Sequence, residues 1–233
     1  MKNIMYRMAS MVMAVALSVC ACAQDSLSVS LGADLVSRYV WRGMDQGSGV
    51  SLQPSLGLSY KGVSLSAWGN ASISELDVEE FDITLGYEIG GLSVGVTDYF
   101  WMGTEADYGR YTSDHFFELN LGYTVSEKVP LTLSWNTMFT AGKSAEYDED
   151  GDRMYSSYFN VGYDFDVHGV SLAPAIGFNP WKSQYADKFA VMDISLTASK
   201  SIEFNERFSL PVFSQVVVSP ANDKVYLIFG FSF

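Results

Sequence analysis

The last nine residues of the chain alternate between large apolar side chains and smaller or more polar ones. On one face, a strand over 225–233 would carry Val225, Leu227, Phe229, Phe231 and Phe233. In water such a strand would be an aggregation-prone edge, whereas lipid suits it if a closed barrel pairs its backbone on both sides. The alternation therefore favours a transmembrane barrel over the alternative, a buried edge strand of a soluble sandwich.

This ending also resembles the C-terminal strand of bacterial outer-membrane proteins, in which an alternating strand that closes on Phe is recognised by the barrel-assembly machinery. The resemblance implies an assembly signal made of the apolar residues of that face, namely Leu227, Phe229, Phe231 and Phe233.

The first 23 residues have the pattern of a secretory signal peptide. Lys2 and Arg7 precede an almost wholly apolar stretch over 8–20, which is too short to span a bilayer as a helix. Small residues at Ala21 and Ala23 suit the peptidase. We expect cleavage after Ala23, which divides the chain into a signal peptide over 1–23 and an outer-membrane β-barrel over 24–233.

A second interpretation of this region stays open. Residues 19–22, Val-Cys-Ala-Cys, form a loose lipobox that would lipidate Cys22, although cysteine at its second position is unusual. Both cysteines of the chain, Cys20 and Cys22, lie in the segment to be removed. The mature protein would then contain no disulfide, thiolate metal site or cysteine nucleophile.

Charge narrows the function classes. The formal net charge is −13, and removing Lys2 and Arg7 leaves 12 basic against 27 acidic residues, or −15. Nucleic acid is an unsuitable partner for so acidic a chain, because phosphate binding needs basic patches. Beyond the signal peptide no apolar run reaches 18 residues, so a membrane protein of this sequence would have to span by strands.

The alternation recurs in twelve segments of the mature chain. In the first, over 27–42, the outward face carries Tyr39 and Trp41, and the inward face carries Asp34 and Arg38. Apolar residues outward and polar residues inward are typical of transmembrane strands, and the connections alternate between tight turns and long loops as in outer-membrane barrels. The sequence therefore predicts an all-β fold, a closed antiparallel up-and-down transmembrane β-barrel of about 12 strands.

Four positions depart from the regular pattern. Asp98 falls on the apolar face, which a bulge or a strand end above the lipid would accommodate. The alternation changes phase near Val191, where we expect a bulge. Pro54 and Pro174 lie inside strands, where proline removes a ladder hydrogen bond, and we expect a bulge at each.

The stretch 34–43, Asp-Leu-Val-Ser-Arg-Tyr-Val-Trp-Arg-Gly, resembles the opening strand of the TorF-type porin family. Residues 53–56, Gln-Pro-Ser-Leu, and 67–69, Ala-Trp-Gly, follow at the distance seen in that family. The resemblance covers about residues 31–70. Beyond them the sequence shares only the alternation that is general to such barrels. It implies an outer-membrane barrel of porin type and does not imply a substrate.

Charged side chains on the predicted lumen face are candidate pore-lining residues: Asp34, Arg38, Arg42, Asp82, Glu118 and Asp193. Aromatic residues on the same face would narrow the lumen: Trp68, Tyr99, Phe116 and Phe213. Two interpretations remain open. The charges form a constriction that selects solutes by sign, or they are ion pairs that satisfy one another inside a filled barrel. We expect Arg38 and Arg42 each to pair with a carboxylate of a neighbouring strand.

Catalytic and metal sites find little support. A barrel hydrolase would need a histidine beside a serine or carboxylate at the outer rim or lipid face. Of the two histidines, His168 lies in a short periplasmic turn, and His115 lies at the outer rim next to Asp114, but adjacent residues of a strand point opposite ways. The acidic run over 147–152 fails the spacing of a calcium loop. We expect no catalytic residue, no cofactor and no metal.

The sequence thus predicts a narrow passive channel of the outer membrane of a Gram-negative bacterium, with weak preference for cations or neutral solutes, because acids outnumber bases on the lumen face. Expected partners are outer-membrane lipid and lipopolysaccharide, the assembly machinery during insertion, and a small solute. The alternatives are a closed structural or adhesion barrel and, least favoured, a barrel enzyme.

Overall fold

The computed structural model describes residues 27–47, 49–73, 79–103, 105–206 and 208–233. The predicted signal peptide, its cleavage after Ala23 and the alternative lipidation at Cys22 lie outside the described residues.

The described chain is almost entirely β-strand. The strands are β1 (Ser28–Val36), β2 (Tyr39–Trp41), β3 (Met44–Gly47), β4 (Ser51–Tyr60), β5 (Val63–Ser72), β6 (Glu79–Ile89), β7 (Leu92–Met102), β8 (His115–Ser126), β9 (Val129–Met138), β10 (Ser157–Tyr163), β11 (Phe165–Val167), β12 (Val170–Asn179), β13 (Ala190–Asn205), β14 (Phe208–Ser219) and β15 (Lys224–Ser232). Two short 3₁₀ turns, Gly142–Ser144 and Pro220–Asn222, lie in connections. No helix in the described ranges has the length and apolar character needed to cross a membrane.

Thirteen of these strands form one antiparallel sheet that closes on itself. Its order runs from β10 back through β9 to β4, then β1 and β15, then down to β12 and β11, and β10 also pairs with β12. Since β10 and β11 both pair with β12 and follow one another, they form a single wall strand, and the barrel has twelve. The predicted all-β, closed antiparallel barrel is confirmed.

Tight turns join the strands at one end of the barrel, which we call the short-turn end; the opposite end is the long-loop end. Three of the tight turns place both central residues at positive φ: Lys61-Gly62 (48° and 83°), Gly90-Gly91 (57° and 85°) and His168-Gly169 (51° and 77°). This is the conformation that matches the right-handed twist of the flanking strands, and glycine at the second position adopts it without strain.

The two faces of the wall differ as the alternation predicts. On β15, Leu227 and Phe229 point outward and are 55% and 54% exposed, whereas Tyr226 and Ile228 point inward and are 6% and 4% exposed. Exposed apolar side chains recur on the outer face of the other wall strands. Such a wall is stable in lipid, where each backbone group is satisfied by a neighbouring strand.

The phase change in β13 is a bulge, as predicted. Pairing of β12 with β13 shifts between Gly177 and Phe178, so that Asp193 and Val191 face them and Met192 is the extra residue. The two prolines behave differently from the prediction. Ala33 pairs with Pro54, and Leu196 pairs with Pro174, without any shift of register.

Each proline instead interrupts the pairing with its other neighbour. The β4–β5 ladder lacks the pairs of Gln53 and Pro54 and then resumes in the same register. The gap between β10 and β11 lies opposite Pro174 of β12. Proline removes a donor without adding a residue, so a missing rung rather than a bulge is the physical consequence. The predicted bulges at these positions are wrong.

Asp98 is accommodated by a histidine rather than by a bulge, since β7 keeps its register with both neighbours. Its carboxylate lies 2.7 Å from Nδ1 of His115, and Nε2 of His115 lies 2.8 Å from the carbonyl oxygen of Tyr108. Tyr111 stacks on the imidazole, which is fully buried. Because both ring nitrogens are engaged, His115 has none available to activate a serine.

The assignment of the two faces can be tested on β15. We expect Phe229→Arg to remove most of the folded, heat-modifiable barrel from membranes, because a cation at the lipid face costs about 2–4 kcal/mol near the bilayer midplane. Ser232→Arg on the lumen face of the same strand is the control and should assemble almost normally. Equal losses in the two variants, measured by gel mobility with and without heating, would contradict the assigned faces.

Candidate functional site

The most informative departure from a plain barrel is a short hairpin inside the lumen. β2 and β3 pair only with each other, in a sheet separate from the wall. We call residues 39–47 the inner hairpin. It lies between β1 and β4, so it enters the barrel at the long-loop end.

Contacts from opposite walls show that the inner hairpin crosses the lumen. At one side Val40 packs against a buried apolar cluster that contains Tyr226 of β15. At the other side the Tyr39 hydroxyl donates to Glu80 Oε2 of β6 at 3.0 Å. The side chain of Trp41 has Tyr99 of β7 as an edge-on neighbour, with ring centroids 5.9 Å apart.

The tip of the inner hairpin is a two-residue turn formed by Arg42 (φ 52°) and Gly43 (φ 74°). A Cβ on Gly43 would lie 2.3 Å from the carbonyl oxygen of Met192 and 2.9 Å from Oγ of Ser219. The Ser219 hydroxyl also donates to that carbonyl at 2.9 Å, and Asn222 Nδ2 donates to the Gly43 carbonyl at 3.2 Å. Glycine is required both by the positive φ and by the close approach of the wall.

The turn directs Arg42 at a buried carboxylate on β8. Its Nη1 and Nη2 donate to Oε1 and Oε2 of Glu118 at 2.7 and 2.8 Å, and the two side chains are 8% and 0% exposed. The Tyr99 hydroxyl and Asn120 Nδ2 each donate to Oε2 of Glu118 at 2.8 Å. A bidentate pair with two further donors satisfies this carboxylate well enough to keep both charges buried.

Aromatic rings surround the guanidinium of Arg42. Its Cζ lies 4.4 Å from the ring centre of Trp41, 4.8 Å from that of Tyr158 and 5.4 Å from that of Tyr185. Nη1 also donates to the Tyr185 hydroxyl. Burial raises the pKa of Tyr185 to about 12, so this phenol is neutral at physiological pH. The rings hold the cation by cation–π attraction and shield it from water.

Asp193 joins the same region without contacting the arginine directly. The Tyr158 hydroxyl donates to Oδ2 of Asp193 at 2.7 Å, and Tyr158 is the ring that lies beside Arg42. Arg38 belongs to the base of the inner hairpin. It forms an ion pair with Asp45 of β3 at 3.4 Å, with side chains 30% and 38% exposed. Arg42 therefore pairs across the lumen, whereas Arg38 pairs within the hairpin region.

The aromatic residues predicted to narrow the lumen are placed against the inner hairpin or against their neighbours. The Trp68 ring centre lies 5.5 Å from that of Tyr39, and Tyr99 contacts Trp41. The structure thus brings two of the predicted residues onto the inner hairpin.

The other two lie beside the wall. Phe116 packs on Trp101 at 4.6 Å between ring centres, and Phe213 lies over Gly230, where a Cβ would come within 2.3 Å of its ring. In the part of the chain described, no ring contact joins two of the four predicted aromatics.

Two predicted acids remain on the wall. Asp34 lies on the lumen face of β1, between Gln53 of β4 and Ser232 of β15. Asp82 lies on β6, between Trp68 and Tyr99 of the neighbouring strands. Oδ1 of Asp82 is buried and has no hydrogen-bond partner within the described ranges.

The prediction that Tyr39 and Trp41 lie on the outward face is wrong. The chain leaves the wall after Val36, and these residues point into the lumen. The alternation keeps the same phase on both sides of the break, whose local signs are Ser37 on the apolar face and Val36 and Val40 on the polar face. Tyr158 and Tyr185 were not expected to contribute, because recognising them requires knowing where Arg42 lies.

Toward the short-turn end the lumen face consists of small polar residues and glycines. The inward positions there include Ser55, Gly57, Ser59, Ser64, Ser66, Thr84, Gly86, Ser93, Gly95, Gly122, Thr124, Thr132, Ser134, Gly162, Thr197 and Ser199. Ser55, Ser59, Ser66 and Thr124 are exposed to solvent. The lumen is therefore crowded where the inner hairpin lies and lined by short side chains below it.

A model of a bacterial protein family of unknown function, Gcw_chp, matches residues 21–213 of the 233-residue chain. The chain belongs to the Gcw_chp family. The stretch that resembles TorF-type porins lies inside the matched range, and the family description assigns no activity. No curated protein is significantly similar to the sequence.

The solved structures similar to this Gcw_chp barrel include a porin and an outer-membrane channel. The NanC porin superposes with a TM-score of 0.51 at 9% identity, over 87% of this chain and 98% of that chain. An outer-membrane channel from Pseudomonas putida F1 gives a TM-score of 0.44 at 16% identity, over 92% and 98%. At this identity the likeness to NanC concerns the fold alone.

Proposed function

We propose that this protein is a narrow passive channel for small solutes, with a weak preference for cations or neutral molecules. The observation that carries the proposal is the contrast along the lumen. Small polar side chains, several of them solvent-exposed, line the part toward the short-turn end, and large side chains crowd only the long-loop end, where the inner hairpin lies. Because a barrel of more than eight strands has room for more than its own side chains, short side chains on this part of the wall leave space for water and small solutes.

The charge of the lumen supports the sign of the preference. Arg42 is neutralised by Glu118, and Arg38 by Asp45. Both lumen arginines are thus engaged, while Asp34, Asp82 and Asp193 form no ion pair in the described residues. An acidic wall repels anions and raises the local concentration of cations.

The proposed location is the outer membrane of a Gram-negative bacterium, reached through the periplasm. The apolar outer wall and the likeness of 34–43 to TorF-type porins support this location. Outer-membrane lipid and lipopolysaccharide would surround the wall, and the assembly machinery would recognise the outward residues of β15 during insertion.

A second candidate is a closed structural or adhesion barrel, and one observation favours it. Trp41 contacts Tyr99, Trp101 and Tyr185, so aromatic rings converge where the inner hairpin crosses the lumen. If these contacts leave no continuous path, the barrel would not conduct.

Planar-bilayer recordings of the purified protein separate the two candidates. We expect small, steady conductance steps and, in a salt gradient, a reversal potential of the sign given by cation selectivity. A heat-unfolded sample of the same preparation is the control for detergent and contaminating porins. Current no greater than that of the control would favour the closed barrel, and anion selectivity would contradict the proposed preference.

A further inference from the structure

A pair of acidic residues on β6 stands apart from the arginine at the hairpin tip. Glu80 and Asp82 are two residues apart on the lumen face, and they are 2% and 8% exposed. Their carboxyl groups are within hydrogen-bond reach of each other. Two carboxylates in contact repel one another, and burial strengthens the repulsion because less water screens it.

The protein supplies little to offset this repulsion. The donors are neutral: Tyr39 and Trp101 donate to Glu80, and the backbone of Phe100 donates to Asp82, whose Oδ1 is buried without a partner. Among the described residues no lysine, arginine or histidine forms an ion pair with either acid, and the nearby Arg42 is held by Glu118. Adjacent buried carboxylates are unfavourable enough that either a bound proton or a bound cation must offset their charge.

We propose that Glu80 and Asp82 form a binding site for a small inorganic cation inside the lumen. The available ligand atoms are carboxylate oxygens and the phenol oxygen of Tyr39. Such oxygens are hard ligands suited to calcium or alkali cations. In the described ranges no three His, Cys, Asp or Glu side chains are grouped to hold a metal. A bound ion would therefore have few charged protein ligands, and we expect weak binding.

The position of this pair suits a site on a conduction path. Trp68 and Tyr99 flank Asp82 on the neighbouring strands, and Tyr39 extends from the inner hairpin to Glu80. The pair therefore lies under aromatic side chains at the crowded end of the lumen, and a cation would reach it by passing between them. The inference rests on the proposed channel function for its physiological role, but the site itself requires only the folded barrel.

Calcium titration of the purified barrel in detergent tests the site without requiring conduction. The protein is first stripped with a chelator, and binding of CaCl₂ is followed by equilibrium dialysis and by thermal stability. We expect saturable binding with a dissociation constant on the order of 1 mM, as for weak oxygen-ligand sites. The melting temperature should rise as binding saturates, because the ion binds only the folded state.

The variants Asp82→Asn and Glu80→Gln each remove one charge with little change of shape. Each should weaken calcium binding about tenfold or more, since affinity follows the number of charged ligands. Glu88→Gln is the matched control, because Glu88 lies on the same face of β6 near its short-turn end and is exposed. Heat-modifiable mobility confirms that every variant is folded.

Two results would overturn the proposal. One is the absence of saturable calcium binding by the wild-type protein. The other is calcium binding that Asp82→Asn and Glu80→Gln leave unchanged. Either result would mean that a proton shared between the two carboxyl groups, and not a cation, offsets their repulsion. A barrel that binds calcium but passes no current would refute the channel and retain the site. A barrel that conducts but shows no saturable calcium binding would refute the site and retain the channel.

Discussion

Replacing Arg42 with alanine is expected to lower the free energy of unfolding by about 3–5 kcal/mol, the usual cost of leaving one partner of a buried ion pair uncompensated. Glu118 is fully buried and receives two charge-assisted hydrogen bonds from this guanidinium. The remaining donors, Tyr99 and Asn120, are neutral and cannot replace the cation. Urea unfolding in detergent, followed by tryptophan fluorescence, measures the loss.

Arg38→Ala is the matched control for this prediction. Arg38 carries the same charge in the same region, but its ion pair with Asp45 is about one-third exposed. Exposed pairs contribute about 0–1 kcal/mol, so the control should be almost as stable as the wild-type protein. Adding Glu118→Gln to Arg42→Ala should recover part of the loss by removing the unpaired charge. Equal effects of the two arginine variants would contradict the assigned burial of the Arg42–Glu118 pair.

The wall of the barrel could be predicted from the sequence because its determinants are local. A period of two residues places side chains on alternate faces of any strand, and lipid makes the outward face apolar. Turns such as Lys61-Gly62 and His168-Gly169 mark the strand ends by backbone chemistry alone. Even the bulge at Met192 is a local change of phase in the pattern.

The inner hairpin illustrates what local patterns leave open. Arg42-Gly43 has the same backbone conformation as Lys61-Gly62, so the signal for a tight turn was present in the sequence. However, the alternation resumes in the same phase at Tyr39, so Ser37 on the apolar face was too slight a sign that the chain leaves the wall after Val36. Where a hairpin docks depends on residues far along the chain: Glu118 lies 76 positions from Arg42, and Tyr185 lies 143.

The same limit applies to the candidate site. The alternation identified Asp82, Glu118 and Asp193 as lumen acids, because inward positions follow from strand phase. It could not tell which of them would be neutralised. Glu118 receives Arg42, Asp193 receives only the hydroxyl of Tyr158, and Asp82 retains a buried oxygen without a partner. These differences arise from the docking of the inner hairpin, and they separate a structural ion pair from the proposed cation site.

The inner hairpin lies across the long-loop end of the lumen, so we expect its docking to narrow the path there and Gly43→Val to prevent that docking. A Cβ at this position would lie 2.3 Å from the Met192 carbonyl. Strain at positive φ adds about 1–3 kcal/mol for a side-chain-bearing residue. We therefore expect most molecules to have the inner hairpin undocked. Conductance in planar bilayers should rise toward that of a reference variant in which 38–47 is replaced by a short Gly-Ser linker.

Gly151→Val is the control for backbone strain alone, because Gly151 has φ 85° but no atom within 4 Å of the added Cβ. It lies in the loop between β9 and β10, so it should leave the conductance unchanged. If Gly43→Val conducts no more than Gly151→Val while the linker variant conducts strongly, then the hairpin tolerates the clash and its docking is less specific than the contacts indicate. If the linker variant also conducts no more than the wild-type protein, the inner hairpin does not control the width of the path.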